Sequence, residues 1–307
     1  MLLPSVFNYQ SAGANLPNMI KSAGYGRVIF VDSNGGGSAT SGGRTPETAV
    51  TTIDAGVNAC DTTGNRANVV LVAAGHAETI AAAAGVAQDV AGIAVVGCGW
   101  GASRPTITFS ATDSTWAITA ANSLVKNIRI KSSVNELVSV FTLTTADCEF
   151  DAVDVMDNGA AKEILQFLLT TSGADNLTVR NCRHIQLTAG ASAQKWIALV
   201  GCDTPRILNN TFILKLNDHA TSSVINGDAS VVLAELGGNR IHMTGYSANL
   251  LSAVLMHASA TGVHYDGRIS GDVAALTSLN DFAGGYSSEV YCGRTVDKNG
   301  VLDPVVA

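Results

Sequence analysis

Charge is scarce in this chain: 14% of its 307 residues are Asp, Glu, Lys or Arg, against roughly 25% in an average soluble protein. Lys and Arg number 18 against 25 Asp and Glu, for a net charge of −7. Such a balance supplies no overall basic field for phosphate backbones or anionic lipid, so neither nucleic acid nor a membrane surface is an expected partner. Aromatic residues reach only 6%, a thin supply for stacking sugars. Long apolar runs are missing too. The most apolar stretch, residues 80–98, is broken by Gln88 and Asp89, so the mean hydropathy of +0.25 does not signal a membrane helix. The first ten residues, MLLPSVFNYQ, have neither a basic segment nor an apolar run, and synthesis without export is the expectation. The cysteines at 60, 98, 148, 182, 202 and 292 form no C-x-x-C pair, and Cys182 with His184 is the sole short Cys/His spacing. No metal site and no cofactor are therefore expected, and the thiols read as reduced, buried apolar residues.

What the chain does have is glycine, 31 residues of it, and a repeat. Between residues 120 and 270 one short phrase recurs, with markers at Asn127, Asp154, Asn181, Asn210, Asn239 and Gly267 separated by 27, 27, 29, 29 and 28 residues. Each marker after the first follows a second apolar segment, at residues 138–143, 164–169, 196–200, 223–225 and 250–256. These segments are short, rich in Val, Ile, Leu and Thr, and end in Asn or Gly, which reads as strand and not helix. A unit of that size cannot bury its own apolar face, so the units must stack, one strand spacing of about 4.8 Å per coil. The expectation is an all-β, right-handed, single-stranded parallel β-helix. The markers form its corner column, because Asn tolerates the left-handed conformation and its amide can bond the Asn of the next coil. Val125, Ala152, Val179, Leu208, Gly237 and Tyr265, two residues earlier, would then point inward. Further strands are expected at 68–72, 93–96, 106–109 and 116–119, and a short capping helix at 47–60. The resulting division is an N-terminal arm at 1–31, the β-helix at 32–270 and a C-terminal cap or docking tail at 271–307.

Two phrases carry a family resemblance. One is Val28-Ile-Phe-Val-Asp32-Ser-Asn-Gly35, followed by Gly42-Gly-Arg-Thr45-Pro46-Glu47-Thr and Thr52-Ile-Asp-Ala55. The other is Gly75-His76-Ala77-Glu78-Thr79-Ile80, followed by Asp89-Val-Ala-Gly92, Gly97-Cys-Gly99 and Arg104-Pro105-Thr-Ile-Thr-Phe109. Together they resemble the pectate-lyase-like right-handed β-helix proteins of tailed bacteriophages and prophages, in particular a branch of virion proteins, with Ala74 where that branch has Pro. The resemblance implies a homotrimeric structural protein that decorates or cements the capsid exterior, with the major capsid protein as partner, assembled in the bacterial cytoplasm. The same fold also serves tailspike depolymerases and polysaccharide lyases, so a depolymerase of host surface glycan is the alternative.

A glycan hydrolase needs two carboxylates about 5 Å or about 6.5 to 9.5 Å apart. The densest acidic cluster is Asp147, Glu149, Asp151, Asp154 and Asp157. Asp151 with Asp157 is the candidate pair, and Asp157 with His184, at a shared offset from their markers, the candidate acid-base couple. Turns collect Asp without any catalytic reason, so these are weak candidates and the preferred reading has no catalytic residue. A lyase would use Arg180, Arg183, Arg240 or Arg268 as its base, positions equally natural for solvated arginines. Gly97-Cys-Gly-Trp-Gly101 lacks the helix and downstream acid of a dinucleotide loop and reads as a turn.

Overall fold

A computed structural model describes residues 26–34, 41–60, 62, 67–217, 219, 221–244, 253–271, 280–282, 295–296 and 302–303. The expected arm up to residue 25 and most of the tail after 271 lie outside these residues.

The chain is an all-β parallel solenoid of about seven turns. Each coil lays one strand on each of three sheets, here called faces A, B and C in the order the chain visits them. Face A has nine strands: Val28–Val31, Asn68–Val72, Ile93–Gly97, Leu124–Lys126, Glu149–Asp151, Thr178–Arg180, Arg206–Leu208, Ala234–Gly237 and Gly262–Tyr265. Face B has eight: Ala77–Ile80, Thr106–Phe109, Arg129–Ser132, Asp154–Val155, Arg183–Gln186, Thr211–Leu214, Arg240–Met243 and Arg268–Gly271. Face C also has eight: Val86–Gln88, Trp116–Ile118, Phe141–Leu143, Leu168–Thr170, Lys195–Leu199, Ser223–Gly227, Val254–Met256 and Asn280–Phe282. Every neighbouring pair is parallel, so each backbone N–H and C=O within a face finds its partner in an adjacent coil. Face A begins at Val28, whose strand pairs in register with Asn68–Val72, inside the stretch expected as an arm.

Alternation along the strands fills the lumen. On face A, Val125, Phe150, Val179, Ile207, Leu236 and His264 stand above one another and are buried. This inward column departs from the expected one at Ala152, Leu208, Gly237 and Tyr265, each one or two residues away from the true inward position. The few aromatics are concentrated inside. Trp116, Phe141 and Phe167 follow one another up the lumen with ring centroids 5.4 and 5.3 Å apart, and Phe167 stacks on Trp196 at 6.4 Å. Such pairs contribute about 0.5–1.5 kcal/mol each beyond their buried area.

The lower opening is closed by a helix, α1 (Ile53–Asn58), preceded by a turn of 3-10 helix at Pro46–Thr48. It is shorter than the expected 47–60, because Val50 is extended and bridges Val31, and Thr52 sets the start by accepting a hydrogen bond from the Ala55 amide on its side chain at 3.2 Å. Ile53 and Val57 plug the lumen end. Among the described residues no helix is long and apolar enough to cross a membrane.

Candidate functional site

The corner between faces A and B is two residues long in the six coils from Lys126 onward, as at Asn127-Ile128 and Asn181-Cys182. Its first residue is left-handed in every one: Asn127, Ala152, Asn181, Asn209, Gly238 and Asp266, with φ between 49° and 63°. Register therefore corrects the expected corner column. Asn127 and Asn181 occupy the left-handed position, whereas Asn210, Asn239 and Gly267 occupy the next, inward one. Asp154 is two residues beyond the left-handed position, first on its face B strand and opposite Arg129. The markers misled because Asn tolerates the left-handed position yet also serves as a buried hydrogen-bonding residue beside it.

The amides satisfy buried backbone rather than forming one continuous ladder. Asn127 Nδ2 donates to the Gly97 and Gly99 carbonyls at 2.8 and 2.9 Å, and Asn181 Nδ2 donates to Asp151 Oδ1 at 2.9 Å. Only Asn210 and Asn239 bond to each other, Nδ2 to Oδ1 at 3.0 Å. Asn210 Oδ1 also accepts from the Cys182 amide at 2.9 Å, and its Nδ2 reaches the Val179 carbonyl at 2.9 Å.

Beside this corner the acidic cluster is tied up coil to coil. Asp151 Oδ2 takes Lys126 Nζ at 2.7 Å from the coil below and Arg180 at 3.6 Å from the coil above. Burial alone would raise its pKa, but the hydrogen bonds from Lys126 and Asn181 and the neighbouring positive charges outweigh burial and hold it below the usual carboxylate range. Asp154 receives Arg129 at 3.2 Å, Arg104 at 3.5 Å and Arg183 at 3.8 Å. Glu149 takes Arg180 Nε at 2.6 Å. Asp151, held below the usual range, is a poor proton donor at neutral pH. No local pattern marks Lys126, Arg129 and Arg104 as partners, since the first two lie one coil and Arg104 two coils from the acids they neutralise.

Asp151 and Asp157 do not form a same-face pair. Asp151 ends a strand of face A, whereas Asp157 lies past the face B strand Asp154–Val155 and accepts a hydrogen bond from the Leu187 amide at 3.0 Å. Nor does Asp157 meet His184. The residue paired with His184 is Val155, so the ring points into the lumen and is fully buried, while Asp157 is exposed. Its Nδ1 accepts from Trp196 Nε1 at 2.7 Å, and its ring lies 4.1 Å from Phe167 and 5.3 Å from Phe212. The proton of the neutral ring must then sit on Nε2, which has no hydrogen-bond partner. Burial in this aromatic cage lowers its pKa from 6.5 to about 3.

Of the lyase candidates, Arg180 and Arg183 sit in these ion pairs. Arg240 and Arg268 stack in register on the outer side of face B, both exposed. Trp196 is core, and Trp100 is 75% exposed on the loop after face A. Among the described residues no group of three His, Cys, Asp or Glu is placed to hold a metal ion. The five described cysteines are free and buried.

A second constellation lies at the N-terminal end. His76 Nδ1 accepts from the Ser33 amide at 2.9 Å, and His76 Nε2 meets Glu78 Oε2 at 3.1 Å. The same carboxylate oxygen accepts from the Ile53 amide at 2.9 Å, at the start of α1, and Ser33 Oγ accepts from the Ala77 amide at 3.0 Å. The set contains a serine, a histidine and a carboxylate, but the histidine nitrogen a serine hydroxyl would need is occupied by a backbone N–H. It acts as a clamp joining the residue 32–34 turn, α1 and the first coil. The signal in the sequence was the i, i+2 spacing of His76, just before the face B strand, and Glu78 within it. No family model, curated protein or solved structure matches the chain.

Proposed function

We propose that this chain is a structural, non-enzymatic protein of a tailed-phage particle that decorates or cements the capsid exterior as a homotrimer. The observation that carries the reading is the clamp. The phrases that resemble the virion branch, around Asp32-Ser33, Thr52-Ile53 and Gly75-His76-Ala77-Glu78, converge on one buried hydrogen-bonded junction. Shared phrases that converge on such a junction are those a common fold would retain. The charged residues beside the A/B corner add support: Asp151 and Asp154 are spent on cross-coil ion pairs, and His184 is sealed in the lumen. A solenoid also suits a coat component, since its strand edges are paired everywhere except at its two ends, and its long sides suit packing against neighbours.

The test is to locate the chain in an image of the whole particle and count its copies. Many copies spread over the capsid agree with the proposal; a few copies confined to the tail overturn it. A depolymerase would instead degrade host surface glycan, with the activity lost in Asp151→Asn or Asp157→Asn.

A further inference from the structure

Two columns of charge climb the opposite margins of face A. On the A/B margin the first position of face B reads, coil by coil, Arg129, Asp154, Arg183, Thr211, Arg240, Arg268. Asp154 is engaged by its arginines, but the Arg183 side chain is 58% exposed. Arg240 and Arg268 are exposed and have no carboxylate partner among the described residues. On the C/A margin the turns into four successive coils carry one aspartate each: Asp147, Asp175, Asp203 and Asp228. All are exposed or half-exposed and outside any ion pair among the described residues. Apolar surface accompanies them. Val200, Val232, Leu233 and Val263, 38 to 63% exposed, are half of the eight large apolar residues exposed in the described structure, and all four lie at this margin or on the adjoining edge of face A. Apolar patches rimmed by charge mark interfaces.

We infer that these two margins bind each other between copies of this chain, so that face A of each protomer turns toward the three-fold axis of the homotrimer proposed above, a reading on which this one rests. In a ring of parallel triangular prisms with one face inward, the two margins of that face are the parts that meet, the A/B margin of one copy against the C/A margin of the next. Turning face B or face C inward would never bring the arginine column to the aspartate column. A rotation axis adds no shift along the solenoid, so coils meet at equal height. Asp175 leads into the coil that carries Arg183, and Asp228 into the coil that carries Arg240. Arg183 and Arg240 lie two coils apart, and so do Asp175 and Asp228, because both sets belong to the same solenoid of about 4.8 Å per coil; Asp228 stands earlier in its turn than Asp203, whose bridge partner is Val232.

The test is a charge swap followed by sedimentation velocity and native mass spectrometry on the full chain, with circular dichroism melting as the fold control. Wild type should be a trimer that weakens as salt rises. R183E/R240E and D175R/D228R should each sediment as monomers, and the chain carrying all four changes should regain the trimer. Leu233→Asp, a change at a 63% exposed side chain, should weaken the trimer without altering the melt. If the reversed chains stay trimeric at wild-type salt, the margins are not the contact, although a trimer on the capsid stands. If wild type is a monomer, both the contact and the trimer fall, whereas the particle image tests the capsid location separately.

Discussion

Replacing His184 with Phe should flatten the acid side of the stability profile. His184 is fully buried and neutral in the folded chain, with its pKa lowered from 6.5 to about 3 by burial. Unfolded, it titrates near 6.5. Between those values the unfolded chain binds one proton more than the folded chain, so stability falls as pH falls. The loss begins near pH 6.5, grows by about 1.4 kcal/mol per pH unit, reaches about 2 kcal/mol at pH 5 and levels off near about 5 kcal/mol at pH 3. Phe removes the titration. It also exchanges one orphan donor, His184 Nε2–H, for another, Trp196 Nε1–H, so the neutral-pH change should be confined to fitting the larger ring, about 1–3 kcal/mol. The assay is urea unfolding followed by fluorescence at pH 7, 6 and 5, comparing wild type with H184F. Every other titrating group is common to both chains and cancels in the difference. Parallel profiles, or a His184 resonance titrating near 6.5 in the folded protein, would refute the sealed-lumen argument.

Three further outcomes follow from the corner and the core. Ala152 sits at φ 55°, a left-handed conformation that costs a non-glycine residue about 1 kcal/mol. Ala152→Asn should therefore raise the unfolding free energy by about 1 kcal/mol, and a neutral or destabilised variant in denaturant titration would show that the corner is not strained. Asp154→Ala strands Arg129 and Arg104 and should destabilise by about 2–3 kcal/mol, while Asp157→Ala, at an exposed position, should stay within about 0.5 kcal/mol. Equal effects in thermal melts would contradict the ion-pair geometry. Burial pushes Cys60, Cys98, Cys182 and Cys202 up to about 12 and Cys148 to about 11. All five should resist iodoacetamide at pH 8 until denaturant is added, as read by mass spectrometry of labelled peptides.

The parallel stack was legible in the sequence because a solenoid repeats its corner once per coil, and Asn and Gly mark corners. Register was less legible. The coil from Asn127 to Ala152 takes 25 residues and the next, to Asn181, takes 29. With Ala in the left-handed seat, Asp154, two residues further on, took its place as the marker at an averaged spacing of 27. That two-residue slip also paired Asp157 with His184, when the ladder pairs His184 with Val155. The cross-coil partners of Asp151 and Asp154 lie 25 residues or more away, where no local pattern announces them. The clamp was visible only as phrases, since its function depends on three segments meeting.

The two-residue A/B corner has a counterpart in the link from face B to face C, which takes 8 residues after Ser132, 12 after Val155, 8 after Gln186 and 10 after Met243. From Lys126 onward the A/B edge of the prism is thus a constant spine and the edge between faces B and C a margin where length varies. Chain added there leaves the height of every coil unchanged, because each strand is still seated on the one below before the next corner is reached. From Lys126 onward the longest links, and with them new surface chemistry, gather on that flank, which lies opposite face A.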